Sequence, residues 1–441
     1  MGEVKPVCDI PPRMPTLDLA GFPLERIAEA IGTPYYLYDA GELRARLADL
    51  SRLTEADALQ ARYAMKANSC WKILEEVRAA GLWIDAVSGN EVLRARRAGF
   101  AMGARPPIVM LTADVLRDNA LSAVLEEGVL PNVGSPGMID ELAGAGYRGP
   151  IAVRVNPGFG HGHVQSCDTG GPSSKHGIWH QALERLAARA QAAKLPIVTL
   201  HAHVGTGPQI REFNDNLREL VTLLAARLPE FPDVDAVNLG GGLPHAYRLE
   251  APRFDLAGFR TLLVEAAGEL ARAAGRSIRV EIEPGRFCVA GAGLLVSRVK
   301  DLKQTEANAK GPGHRFVMVD AGFNDLVRPA MYGSYHHMSI IGNGAGRAPE
   351  PFVVAGPLCE SGDVFTRDDR ELLAPRELPR PDVGDLLVLH DAGAYGAAMS
   401  SNYVSLGRAP QVFWDRGHAT LVARREVFED VVDVEGNQTL I

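Results

Sequence analysis

The sequence runs to 441 residues, 46% hydrophobic and 23% charged, with a formal net charge of -8. That length exceeds one ordinary core and predicts two domains; the acidic balance, with no Lys/Arg cluster, argues against a nucleic-acid partner. No apolar run approaches membrane-spanning length and no charged-then-apolar leader opens the chain.

Five cysteines (Cys8, Cys70, Cys167, Cys288, Cys359) are scattered, odd in number and in no metal-finger spacing. Reduced thiols in a cytoplasmic protein are the expectation. Residues 1–33 are Pro-rich and then amphipathic, and Pro34–Tyr38 reads as an aromatic strand. Helical periodicity follows from about Ala40 to Leu53.

A rhythm then sets in. Short apolar runs end near Lys66, Ser88, Thr112, Ser135, Asn156, Val204, Gly242 and Gly285. Amphipathic stretches such as Trp71–Ala80, Glu91–Ala98 and Gln181–Ala193 lie between them. Eight such repeats match a (β/α)8 TIM-like barrel in number and size. A doubly wound sheet could also alternate, but no G-x-G-x-x-G follows the first strand.

Beyond about Gly291 helix gives way to strand-like runs: Gly293–Val299, Arg315–Asp320, Phe352–Ala355, Asp385–His390, Gln411–Trp414 and Ala419–Ala423. The α/β chain is therefore expected to divide into a barrel over 42–290 and a β-rich domain from 1–41 plus 291–441, the strand near Tyr36 completing the latter. Lys303–Gly313 and Gly342–Pro351 read as surface loops.

In such a barrel the C-terminal strand ends carry the chemistry. Here they bear Lys66, Asp85, Arg154, His201, His203, Gly240–Gly242 and Glu283-Pro284-Gly285-Arg286. Each has a plainer reading. Lys66 could lie along the surface, although at the end of a buried strand its amine would be depressed and poised to form an imine. His201 and His203 alternate on a strand, so one of them can be a core histidine. The glycines could be a tight turn, and Glu283 could pair with an arginine.

Together these residues describe a pyridoxal phosphate site. Lys66 can bind the aldehyde, and Gly240, Gly241 and Gly242 can offer backbone N–H groups to a phosphate. Glu283 can hold the ring nitrogen protonated, and His203 can lie against the ring.

The motifs YAMKAN (63–68), HAHVGTG (201–207), NLGGGL (238–243) and EPGRF (283–287) resemble those of the fold-type III pyridoxal phosphate decarboxylases. VNPGFGHGH (155–163) and KHGIW (175–179) belong to the same likeness. In the second domain DAGFNDLVRPAMYGSYHHM (320–338), GPLCESGDVF (356–365) and DAGAYGAAMSSNY (391–403) resemble the diaminopimelate decarboxylase branch. Segment 161–179 looks like an insertion found in some members, with no role assigned.

The resemblance implies pyridoxal 5'-phosphate as cofactor, with Lys66 carrying it and Glu283 at its ring nitrogen. His203 would stack on the ring, while Asp85, Thr206, Gly240–Gly242 and the Pro284-Gly285-Arg286 turn would line the cofactor, with Tyr395 nearby. Cys359 would donate a proton; Arg286, Arg328, Tyr332, Glu360 and Tyr395 would read an amino-acid substrate. The implied reaction is decarboxylation of meso-2,6-diaminopimelate to L-lysine, in a homodimer whose Cys359–Glu360 pair enters the partner's site. The neighbouring Glu360 carboxylate should keep the Cys359 thiol protonated.

Two positions depart from the pattern. Thr206 stands where many relatives have serine, and Pro244-His245 where many have Gly-Ile. The alternatives are a decarboxylase of the same fold acting on another basic or diamino acid, a barrel metallohydrolase using His201 and His203, and a non-catalytic binding protein. No metal is expected on the leading reading.

Overall fold

A computed structural model describes residues 17–55, 58–160, 169–205, 210–309, 311–368, 370 and 372–436. Thr206 and Cys167 lie outside the described residues, as does most of the 161–179 segment's first half. The chain forms two compact units. One holds 44–245 and 253–288; the other holds 17–43, 246–252 and 289–436.

In chain order, β1 (Tyr35–Asp39) precedes the strands of the first unit. These are β2 (Leu59–Ala64), β3 (Trp83–Ala86), β4 (Val109–Ala113), β5 (Leu130–Val133) and β6 (Ile151–Asn156). They continue with β7 (Ile178–Trp179), β8 (Ile197–His201), β9 (Ala236–Asn238) and β10 (Arg279–Ile282). The order β5-β4-β3-β2-β10-β9-β8-β6, closed by pairing of β5 with β6, makes an eight-stranded parallel barrel. The two-residue β7 only extends β6. Every barrel strand ends within a few residues of its sequence-based expectation.

Helices alternate with the strands, and their ends are set locally. Trp71–Ala79, Gly89–Arg97 and Leu183–Ala192 occupy three of the amphipathic stretches. Before Gly89, Ser88 Oγ accepts from the Glu91 N–H (3.2 Å), and the Glu91 carboxylate accepts from the Val87 N–H (2.7 Å). This reciprocal cap fixes the turn from β3 into its helix, which then buries Val92 and Ala95.

The barrel interior is not purely apolar. Met110, Leu130 and Ala152 form one cluster, yet Arg62 and Glu281 are fully buried there. Arg62 Nε and Nη2 donate to Glu281 at 2.6 and 3.1 Å, and Arg279 Nε adds a third bond at 3.0 Å. Arg62 also donates to the carbonyls of Pro107 and Ile108. A buried carboxylate so surrounded stays ionised: burial would raise its pKa, but the two guanidiniums hold it below the usual range.

The second unit is a nine-stranded mixed sheet. Its strands after β1 are β11 (Gly293–Gln304), β12 (Arg315–Val319), β13 (Met338–Ile341), β14 (Pro349–Ala355) and β15 (Arg376–Pro379). The last three are β16 (Leu386–Leu389), β17 (Gln411–Asp415) and β18 (His418–Ala423). The order is β15-β14-β12-β11-β1-β17-β18, with β16 joining β11 to β13. As expected, β1 completes this sheet, antiparallel to β11 and parallel to β17. Tyr35, Leu37, Leu294, Val296, Leu386 and Val388 pack on Leu24, Ile27 and Ala28 of the preceding helix.

Here the sequence reading needs adjustment. β13 and β15 were not anticipated, β11 runs on to Gln304, and β14 starts at Pro349 inside a stretch expected as loop. These are short, half-exposed strands made by long-range pairing rather than by a strong apolar pattern. Among the described residues no helix is long and apolar enough to cross a membrane.

Candidate active site

Strand β2 ends at Ala64, and a single 3-10 turn, Met65–Ala67, follows. Met65 and Ala67 turn inward, which leaves Lys66 exposed. The expectation of a strand-end lysine on the core side is thus corrected: the backbone has left the strand before Lys66. The turn is braced on both sides. The Tyr63 hydroxyl donates to the Asn68 carbonyl (2.8 Å), and Asn68 Oδ1 accepts from the Cys70 N–H (3.0 Å) ahead of the next helix. The Ala64 N–H donates to the Pro284 carbonyl.

Four further side chains gather at the same end of the barrel. Asp85 is 1% exposed, and neither carboxylate oxygen has a hydrogen-bond partner among the described residues. Thr112, whose hydroxyl accepts from Asn132, stands nearby but outside hydrogen-bonding geometry. Burial and the Glu283 carboxylate push the Asp85 pKa up, against the pull of the Lys66 charge. Glu283 goes the other way. Burial would raise it, but the contact with His201 and the Lys66 charge outweigh burial and hold the carboxyl below its ordinary range.

His201 Nε2 lies 3.1 Å from Glu283 Oε2, and Asn238 Nδ2 donates to Oε1 at 2.8 Å. The plainer reading, Glu283 paired with an arginine, is not met among the described residues; Glu281 takes Arg62 and Arg279 instead. His203, past the end of β8, keeps part of its surface open. Crowding by protein atoms, with the charges of Lys66 and Arg154, pushes its imidazole well below the usual range, so it is neutral. Lys66 shifts Asp85, Glu91, His203 and Glu283 alike, so all four share its electrostatic neighbourhood.

After β9 come Gly240, Gly241 and Gly242. A β carbon on Gly241 would lie 2.4 Å from the Glu283 carbonyl oxygen, so no larger residue fits without displacing the Glu283 backbone. The Gly240 N–H is already taken by Asn238 Oδ1 (2.8 Å). That corrects the expectation that all three amides serve a phosphate: Gly241 and Gly242 keep N–H groups with no acceptor among the described residues. Pro284 and Gly285 are buried, and Arg286 is half-buried at the head of the short helix Arg286–Val289.

The second unit brings three of its expected residues together. Arg328 is 5% exposed, with its guanidinium 5.0 Å from the Tyr332 ring centroid and 5.2 Å from that of Tyr395. Its Nη2 donates to Ser334 Oγ (3.3 Å). Tyr395 itself adopts φ +60, an uncommon left-handed conformation for a non-glycine residue.

Cys359 and Glu360 sit exposed on a turn. Buried Asp363 organises that turn by accepting from the Leu358 N–H (2.8 Å) and the Phe323 N–H (2.7 Å), while Glu360 Oε1 accepts from the Gly362 N–H. The thiol of Cys359 is free.

Residues 41–290 match the family model described as "Pyridoxal-dependent decarboxylase, pyridoxal binding domain". The chain is 42% identical to the diaminopimelate decarboxylase of Streptomyces coelicolor, over 96% of this chain and 94% of that one. It is 41% identical to that of Escherichia coli K12, over 95% and 97%. The chain belongs to the diaminopimelate decarboxylase family. The crystal structure of a diaminopimelate decarboxylase superposes with a TM-score of 0.85 at 39% identity, covering 93% of this chain and 95% of that one. Both the barrel and the separate mixed sheet are those of the family.

The family is pyridoxal-dependent, and the residues present fit pyridoxal phosphate. Among the described residues the Asp85 carboxylate, His203 Nδ1 and the amides of Gly241 and Gly242 find no partner, and they lie at the barrel end that holds Glu283, whose ionised carboxylate suits a basic ring nitrogen. The metallohydrolase alternative needs a third ligand beside His201 and His203. No group of three or more His, Cys, Asp or Glu suited to a metal occurs among the described residues, and His201 is engaged by Glu283.

Several site residues escaped the sequence reading. His201 was weighed only as a core residue or a metal ligand, and Asn238 and Asp363 not at all. Their partners lie 82, 45 and 40 residues away in the chain, at Glu283, Glu283 and Phe323 respectively, so no local pattern marks them.

Proposed function

We propose that this chain decarboxylates meso-2,6-diaminopimelate to L-lysine and carbon dioxide, using pyridoxal 5'-phosphate. The observation that carries the reading is Glu283, a buried carboxylate held ionised beside a lysine-bearing turn and a glycine loop. Bound pyridoxal phosphate supplies an electron sink for the bond between the reacting carbon and its carboxylate.

The chain's own residues do the rest. The Lys66 amine would hold the cofactor's aldehyde, and as a base at the reacting carbon's side it would be free to move a proton once the substrate amine is bound. Glu283 would keep a proton on the ring nitrogen, and neutral His203 would face the ring without adding a competing charge. Gly241 and Gly242 would bind the phosphate, with Thr206, beyond the described residues, adding a hydroxyl. Asp85, Pro284 and Gly285 complete the wall around the cofactor, with Gly240 shaping the loop. Cys359 Sγ delivers the proton that replaces the lost carboxylate. Glu360 takes the distal ammonium of the substrate, while Arg286 and Arg328, aided by Tyr332 and Tyr395, take its distal carboxylate.

Cys359 and Glu360 act in the site of a second copy, making the working form a cytoplasmic homodimer. The names of the relatives matched over nearly the whole chain support this substrate. The test is direct: purified protein with added pyridoxal phosphate is given meso-diaminopimelate, and lysine and carbon dioxide are followed. Equimolar appearance of both is expected, while no product from a protein that binds the cofactor would overturn the substrate assignment.

A further inference from the structure

Glu281 and Glu283 are two residues apart in sequence, at the end of β10, and both turn into the barrel, where they are buried. Their surroundings differ. Glu281 is matched by Arg62 and Arg279, but among the described residues no lysine or arginine lies within ion-pair distance of Glu283. In direct contact Glu283 has His201 and one neutral amide, that of Asn238.

Asn238 ends the neighbouring strand β9, in register with Glu281. Its Nδ2 is 2.8 Å from Glu283 Oε1 and 3.4 Å from Glu281 Oε2. Its Oδ1 accepts from the Gly240 N–H at 2.8 Å, closing an Asx turn at the start of the glycine loop. A backbone N–H can only donate and an ionised carboxylate can only accept, so the amide has one possible orientation. Asn238 is fully buried, so no water competes for these bonds.

We propose that Asn238 is a positioning residue that ties Glu283 to the Gly240–Gly242 loop, so that the ring end and the phosphate end of the cofactor are held in register by one amide. This rests on the reading of Glu283 as partner of the ring nitrogen and of the glycine loop as phosphate site. Because Asn238 consumes the Gly240 amide, it also aims the remaining two at the phosphate. Its Nδ2 keeps two like-charged carboxylates separated by a donor that serves both. An aspartate there would remove both donors and place a third carboxylate between them, driving a proton onto the cluster.

The experiment is a double-mutant cycle on cofactor binding. Apo forms of the wild type, Asn238→Ala, Glu283→Gln and the double variant are titrated with pyridoxal 5'-phosphate by protein fluorescence, with inorganic phosphate as competitor. Circular dichroism checks the fold of each. Asn238→Ala should weaken cofactor binding by about 10-fold or more, the scale of a lost bond to a charged group, and should also weaken competition by phosphate. In the Glu283→Gln background its effect should shrink by at least about 3-fold. Asn238→Asp should move the pH titration of the bound chromophore, which Asn238→Ala moves less.

Multiplicative effects with unchanged phosphate competition would overturn the proposal. So would failure of both Asn238 variants to fold, which would leave the residue a purely structural role. A Glu283→Gln protein that binds the cofactor with wild-type affinity and spectrum would instead remove the reading of Glu283, and the proposal with it.

Discussion

Gly285 and Ala64 approach so closely that a β carbon on Gly285 would lie 2.9 Å from the Ala64 carbonyl oxygen, with Ala67 at 3.1 Å. The loop after β10 is thereby pressed against the turn that carries Lys66. Gly285→Ala should push that turn outward, costing about 1–3 kcal/mol of stability as an overpacked site. Cofactor affinity should fall more than a thermal melt alone suggests. A variant that melts lower yet binds pyridoxal phosphate as tightly as the wild type would show that the contact does not position Lys66.

Glu281 tests the barrel interior apart from the chemistry. Glu281→Leu strands Arg62 and Arg279 without their buried anion and should cost about 3–5 kcal/mol in urea unfolding. The folded pKa of Glu281 is depressed. Its contribution is therefore present above the ordinary carboxyl pKa and lost as pH falls through the folded one. The variant should show a flatter loss of stability in acid than the wild type.

Asp85 has the opposite sign. Its folded pKa is raised by burial and by Glu283, so the folded apo-protein keeps a proton that the unfolded chain releases. Stability must fall as pH rises from the ordinary carboxyl range through the raised value. Asp85→Asn removes that dependence, and its advantage in apo-protein stability over the wild type should widen between about pH 5 and about pH 8. A constant gap across that range would mean Asp85 is ionised in the folded state.

Arg328 should govern substrate choice. Its guanidinium is buried against Tyr332 and Tyr395, where the distal carboxylate of meso-diaminopimelate would add a charge-assisted contact that lysine and ornithine lack. Discrimination on the order of 10^4-fold against lysine or ornithine is expected, the scale for a site built to bind a polar group that the analogue lacks. Arg328→Ala should lower kcat/KM for meso-diaminopimelate far more than any slow turnover of lysine. Equal losses on both substrates would assign Arg328 to the fold instead.

Shared sites can be tested by mixing. Lys66→Ala and Cys359→Ala should each be inactive alone. Allowed to exchange subunits, they should recover about a quarter of wild-type activity, since half the dimers are hybrids with one intact site of two. No recovery despite proven exchange would mean that each chain completes its own site.

The barrel was legible because its signal is local: apolar runs and amphipathic stretches alternate at a fixed rhythm, and each strand lies where that rhythm puts it. Lys66, Asp85, His203 and Glu283 could be singled out as candidates because strand ends in this architecture are where reactive groups collect. What stayed hidden depends on distant partners. Nothing near Asn238 in sequence announces Glu283, and nothing near Glu281 announces Arg62, 219 residues earlier. Lys66 was misplaced for a smaller reason. The apolar residues Met65 and Ala67 continue the strand's pattern while the backbone has already turned.

The pairing of β1 with β11 sets an order of events during synthesis. Tyr38 lies opposite Gly293, so the whole barrel is made between the two partners. At roughly 5–20 residues per second, the ribosome needs on the order of 10–50 s to reach β11. Throughout that interval Tyr35, Tyr36, Leu37 and Tyr38, all buried in the finished sheet, have no strand to lie against. A short aromatic run of this kind is a hazard on a nascent chain. That exposure is set by the rate of synthesis, so even a barrel that folds at once as it emerges leaves β1 waiting for β11.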